Sequence, residues 1–193
     1  MERGTGDRTI LDQFVIDFAS IVEKYAKYIV VSGFVALAHG RSRATEDIDM
    51  IIERLDIQHF SKLHQSLVKS GFECIQSDNP EEIFDEYLKN NTSIRYVKKG
   101  TFVPEMEIKF SKDELDDYQI KTRKKLELTG LDIYFSSIEM NIAFKEELLK
   151  SEKDIKDAAH LRIVYSGKLN NTEIEKIKQL IRKFRLNGEK NEK

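Results

Sequence analysis

The sequence predicts an α+β (α/β-like) core followed by a C-terminal helical segment, and three observations carry that expectation. Short β-branched runs alternate with apolar residues at helical spacing through the first two thirds of the chain. Glycine, proline, serine and asparagine mark the changes, and beyond residue 136 every apolar pattern has a helical period. At 193 residues the chain is long enough for a proper core, and the expected division is 1–135 for the core and 136–193 for the helical segment, packed on or beside it.

Each element has its own signal. Ile10, Leu11, Phe14, Val15, Phe18, Ile21, Val22 and Tyr25 recur at helical spacing, so an amphipathic helix opens the chain and should lie against a sheet. Tyr28-Ile29-Val30-Val31 reads as a buried strand that Ser32-Gly33 ends, with a brief helix over 34–39 behind it. A strand follows over 46–52, then a helix marked by Ile57, Phe60, Leu63, Leu67 and Val68 that stops at Gly71. A short strand over 72–76 precedes Asn79-Pro80-Glu81-Glu82, which has the cap, the first-turn proline and the early acids of a helix start. Strands over 93–98 and 105–110, separated by a turn at Gly100, read as a hairpin. Capping boxes are expected at Ser111-x-x-Glu114, Ser136-x-x-Glu139 and Thr172-x-x-Glu175, with strand-like residues over 126–135. The last helices are expected over 138–150, 152–165 and 174–186.

Composition narrows the functional classes. Hydrophobic residues at 40% and charged residues at 34% indicate a packed domain with a highly charged surface rather than a disordered chain. The most apolar stretch, 28–38, is too short for a membrane span, and the first seven residues lack the apolar run of a secretory signal. A cytoplasmic protein is the expectation. A single cysteine, Cys74, excludes an internal disulfide and a cysteine zinc cage, and reads as a strand residue. The four histidines have no metal-ligand spacing, and no P-loop, dinucleotide fingerprint or nucleophile elbow occurs. Net charge is −2, divided into +4 over 168–193 and −6 over the rest. That tail is either an amphipathic helix with a solvated face or a contact for RNA or another phosphate-bearing partner.

The chemistry concentrates in one segment. Asp47 and Asp49, at i and i+2 of a strand, place two carboxylates on one face between Ile48 and Met50. Two like charges side by side disfavour each other, and a divalent ion is the simplest remedy, since magnesium takes oxygen from one or two carboxylates and from substrate phosphate. Upstream, Ser32-Gly33 stands where a strand turns into a helix, which is either a tight turn or a backbone approach for phosphate. Arg41 and Arg43, between the two motifs, suit forked contacts with phosphate oxygens. On the later strand Glu105, Glu107 and Lys109 share a face. Glu107, flanked by Met106 and Ile108, is the candidate third acid, against the alternative of a charged solvent face on an edge strand.

The run Val31-Ser32-Gly33-Phe34-Val35-Ala36-Leu37-Ala38-His39-Gly40-Arg41-Ser42-Arg43-Ala44-Thr45-Glu46-Asp47-Ile48-Asp49 resembles the signature of the DNA polymerase beta-like nucleotidyltransferase superfamily. In that signature a Gly-Gly or Gly-Ser pair precedes an Asp-x-Asp. The likeness is to small prokaryotic members related to the abortive-infection (AbiEii-type) and minimal nucleotidyltransferases. Ile142-Ala143-Phe144-Lys145, followed by Lys153-Asp154-Ile155-Lys156-Asp157, is similar to their helical motif, so the resemblance covers about 25–165. Two departures stand out: Ser32 takes the first glycine position, and Glu107 stands where aspartate is usual.

The resemblance implies a nucleotidyltransferase fold with a mixed sheet flanked by helices. It assigns Asp47, Asp49 and Glu107 as catalytic metal ligands for Mg2+ or Mn2+, and sets Ser32 and Gly33 against the triphosphate. Lys145 is either a phosphate contact or a structural cation, and Lys153 with Asp157 is expected as a surface helix pair. The implied activity is transfer of a nucleoside monophosphate from a nucleoside triphosphate to a hydroxyl on a protein, an RNA or a small molecule, with pyrophosphate released. The alternative is a nucleotide-binding or regulatory module without turnover, as a homodimer or as one half of a toxin–antitoxin pair.

Overall fold

A capping box sets the first helix. Thr9 accepts from the Asp12 N–H at 3.1 Å, and the Thr9 N–H donates to the Asp12 carboxylate at 3.0 Å, so α1 runs Ile10–Val22. The computed structural model describes residues 9–42 and 47–186. Strand β1 (Tyr28–Val31) leads into the short helix α2 (Gly33–Ala38), and β2 (Asp47–Ile52) into α3 (Ile57–Lys69), which Asp56 caps through the His59 N–H at 2.8 Å. Gly71, at a φ of 83°, supplies the left-handed residue on which α3 ends and β3 (Phe72–Cys74) begins. Asn79 and Pro80 start α4 (Pro80–Glu82), which continues as a π-helical turn over Ile83–Tyr87. Then come β4 (Ile94–Lys98), β5 (Glu105–Phe110), α5 (Glu114–Lys121), β6 (Lys124–Lys125) and β7 (Tyr134–Phe135). The chain closes with α6 (Ile138–Phe144), extended by a π-helical turn over Lys145–Leu149, then α7 (Glu152–Val164) and α8 (Asn171–Ile181).

Among the described residues the strands form one mixed sheet in the order β3-β4-β5-β2-β1-β7-β6. β1 runs antiparallel to β2, β2 parallel to β5, and β4 antiparallel to β5 as the expected hairpin. Alternation along β2 divides the sheet's faces. Ile48, Met50 and Ile52 enter the main apolar cluster with Phe18 and Val22 of α1 and Phe60 and Leu63 of α3. Phe18 meets Phe72 and Tyr96 with ring centroids 4.9 and 5.5 Å apart, so the opening helix does lie on the sheet. On the opposite face Asp47 is exposed, Asp49 half-buried and Ile51 buried against Ile29 and Ile120. Helix α5 thus closes one end of that face, leaving the acids at the other. Among the described residues no helix is long and apolar enough to cross a membrane.

Several local expectations move. The cap of α5 is Asp113, which accepts from Leu115 and Asp116, because the Ser111 N–H still bonds to the Ile52 carbonyl at 2.8 Å and so prolongs the sheet path. For α6 the cap is Ser137, since the Ser136 N–H reaches the Val30 carbonyl and its hydroxyl accepts from Asn141 at 2.9 Å. Asn170 caps α8 in place of Thr172, with its side chain accepting from the Glu173 N–H at 3.1 Å. The strand-like stretch 126–135 is mostly irregular: the Thr129 hydroxyl donates to Leu126 and accepts from Leu131, holding a 3-10 turn that competes with sheet pairing. The surface pair expected of Lys153 and Asp157 is absent, because Asp157 is fully buried and bonds to Lys145 instead.

Candidate active site

Backbone pairing brings the predicted acids onto neighbouring strands. Val31 of β1 lies opposite Asp49, and Asp49 opposite Glu107 of β5; one step along, Asp47 lies opposite Glu105. β5 is interior to the sheet, between β4 and β2, which removes the edge-strand reading of its charged face. Residues of one register share a face, so Asp47, Asp49, Glu105, Glu107 and Lys109 all lie on the side away from α1 and α3.

Ser32 connects the turn to the acids. Its φ of 65° and ψ of −136° fall in a region that glycine occupies at ease and a side chain does not. Ser32 follows directly on Val31, the register partner of Asp49, so its hydroxyl lies beside the Asp49 carboxylate. Burial pushes the Asp49 carboxyl above its ordinary range; the nearby Ser32 hydroxyl and Lys109 oppose the rise, while Glu107 and Asp47 add to it by like-charge repulsion. Gly33 follows as the buried first residue of α2.

These residues open on a cavity of about 240 Å3 between the sheet and the C-terminal helices. Val31, Ser32, Asp49 and Lys109 line its sheet side, Asp116 and Gln119 of α5 another wall, and Met140, Phe144 and Leu148 the apolar side, with Lys145 and Arg185 at its margins. Polar groups at one wall and apolar ones opposite are the usual make-up of a small-molecule site.

The predicted cations are distributed unevenly. Lys145 is buried and donates to Asp157 at 2.9 Å and Asp154 at 3.3 Å, and Arg41 bonds to the same Asp157. A phosphate role for either requires it to leave that buried carboxylate, which is costly in a low-dielectric interior. Arg43 lies outside the described residues. Of the basic tail, Lys178 pairs with Glu146, Arg182 with Glu147, and Arg185 with Asp113 and Asp116, so these cations fasten the last helix to the protein.

Sequence reasoning missed Arg95, which lies in register with Glu107 across the β4–β5 pair. Its guanidinium is 3.3 Å from the Glu107 carboxylate and 3.4 Å from Glu105. Only the alternation of β4 against β5 would have revealed it. Among the described residues no three carboxylate, imidazole or thiol side chains converge on one point, and the hold of Arg95 on Glu107 is one physical reason. Asp47 and Asp49 remain as a carboxylate pair whose mutual repulsion and partial burial suit a divalent cation with few protein ligands. Another polar cluster went unread: His39 lies 2.8 Å from the Tyr165 hydroxyl, and His160 reaches the His39 carbonyl at 3.0 Å, joining α2 to α7.

No family model and no curated protein matches the chain. Among solved structures it is similar to the antibiotic-resistance factor ANT(2″)-Ia, at 12% sequence identity and a TM-score of 0.51, over 90% of this chain and 91% of that one. At that identity the likeness speaks for architecture alone: this chain shares the mixed α/β fold of that structure.

Proposed function

We propose that the protein is a metal-dependent nucleotidyltransferase that moves a nucleoside monophosphate from a nucleoside triphosphate to an acceptor hydroxyl. One observation carries the reading: a strained Ser32 beside a half-buried Asp49, in register with Glu107, at the wall of a cavity sized for a small molecule. Strain held beside like charges in a cleft is a mark of functional sites. In this reading Asp47 and Asp49 hold Mg2+ or Mn2+, which when bound neutralises phosphate charge in the transition state.

The chain's own residues do the rest. Ser32 stands beside the Asp49 carboxylate, and Ser32 with Gly33 lies against the phosphates. Met140, Phe144 and Leu148 present an apolar wall that excludes water from the reacting groups. The acceptor oxygen attacks the α-phosphorus, a new P–O bond forms as the bond to the bridging oxygen breaks, and pyrophosphate departs. Glu107 takes the hydroxyl proton once its carboxylate leaves Arg95. The test is pyrophosphate release and label transfer with each nucleoside triphosphate, offering protein, RNA and small-molecule hydroxyls. Release that depends on Asp47 and Asp49 supports the reading, and release equal in wild type and Asp47→Asn/Asp49→Asn sinks it.

The Arg95–Glu107 contact favours a second reading, a module that binds nucleotide without turnover and works through a partner, as in a toxin–antitoxin pair. It requires nucleotide binding with no pyrophosphate release. Turnover abolished by Asp47→Asn excludes it.

A further inference from the structure

Three cations line the cavity: Lys109, Lys145 and Arg185. Two have carboxylate partners, Lys145 on Asp154 and Asp157, and Arg185 on Asp113 and Asp116. Lys109 has no hydrogen bond or ion pair among the described residues, although it is only partly exposed. A half-buried ammonium with no direct hydrogen-bond or ion-pair partner is uncommon, because desolvation penalises a charge that only more distant carboxylates offset.

Register gives this cation its place. Lys109 lies opposite Ile51, two residues beyond Glu107 on β5 and on the same face as Asp49. From strand rise and spacing its Cα is about 8 Å from that of Asp49, a distance that a lysine side chain and a string of phosphates readily bridge. Lys109 and Asp49 already feel each other's charge, and Lys112 feels both Lys109 and Arg185, so Lys109 stands between the acids and further cations. Phe144, Leu148 and Leu149 leave the opposite wall apolar, which suits the organic part of a ligand rather than its anion.

We propose that Lys109 is the side chain that grips the polyphosphate of the nucleotide, a role resting on the nucleotidyl-transfer reading of this same cavity. The phosphates extend from Asp47 and Asp49 along β5 toward Lys109, and base and sugar face the apolar wall. Arg41 and Lys145 then act as the scaffold around Asp157. A lysine serves here as a point charge with three rotatable donors, tolerant of how the phosphates lie.

The test is calorimetric binding of the four nucleoside triphosphates and of inorganic tripolyphosphate, with magnesium, to wild type, Lys109→Met and Lys109→Arg. Thermal unfolding of each protein is measured alongside. The expected result is a loss of about tenfold or more in affinity for both ligand types in Lys109→Met, at an unchanged unfolding midpoint, with most of the affinity kept by Lys109→Arg. Equal affinities in wild type and Lys109→Met overturn the role of Lys109 and leave nucleotidyl transfer standing. Tripolyphosphate binding that depends on Lys109, with no triphosphate bound, keeps the anion site and removes nucleotidyl transfer. A loss that tracks a fall in the unfolding midpoint, or absence of binding to either ligand in wild type, overturns the proposal.

Discussion

Ser32 has a strained backbone beside the half-buried carboxylate of Asp49. Ser32→Gly and Ser32→Ala both delete the hydroxyl, but only glycine relieves the positive φ. Glycine should therefore be the more stable of the two variants by about 1 kcal/mol, as read by urea unfolding, and equal stabilities would remove the strain from the argument. The carboxyl of Asp49 sits above the ordinary aspartate range, so the folded protein holds this proton more tightly than the unfolded chain. Its contribution to stability is present at low pH and is lost as pH rises through the folded value. Without metal, Asp49→Asn should be more stable than wild type at neutral pH, and the gap should close as pH falls toward the unfolded value. A variant less stable than wild type at neutral pH would contradict that sign. Magnesium should reverse the order by stabilising only the wild type.

At the scale of elements, α2, α7 and the turn after α6 meet on Asp157, a carboxylate with no exposure that holds both Lys145 and Arg41. Asp157→Ala leaves two cations facing one another without their shared partner, and should cost about 3–5 kcal/mol in denaturant unfolding. Lys153→Ala, on the same helix, should change stability by less than about 0.5 kcal/mol; a small effect of both would mean that the buried cluster holds nothing together. Asp157 was readable only as an i+4 partner of Lys153, because helical spacing says which residues neighbour on one helix and nothing about which face meets another. The capping boxes show a related limit. Ser111, Ser136 and Thr172 have the right spacing, yet Ser111 and Ser136 remain tied to the sheet path and Asn170 outcompetes Thr172. β1 was legible to the residue and β2 over 47–52, Glu46 lying outside the described residues, because alternating β-branched runs ended by Ser-Gly or preceded by acids leave few registers open.

Across the whole molecule, alternation of strand and helix followed by helices alone was enough to give an α+β (α/β-like) core with a helical segment, since buried faces must find partners, and the mixed sheet came from the resemblance. What the one-dimensional pattern could not give was the pairing of distant elements. The parallel match of β2 with β5 sets Glu107 beside Asp49, and the antiparallel match of β4 with β5 sets Arg95 beside Glu107. Long-range register also made Lys109 a cavity cation rather than one more charge on a strand. The carboxylate pair itself was legible, because Asp-x-Asp inside an apolar strand is a local signal. Calorimetric titration of each nucleoside triphosphate, with magnesium or manganese, into wild type and Asp47→Asn/Asp49→Asn tests the central claim most directly. Metal-dependent binding that the double substitution abolishes is the expected result; binding undiminished by the substitution, or no triphosphate bound with either metal, would contradict it.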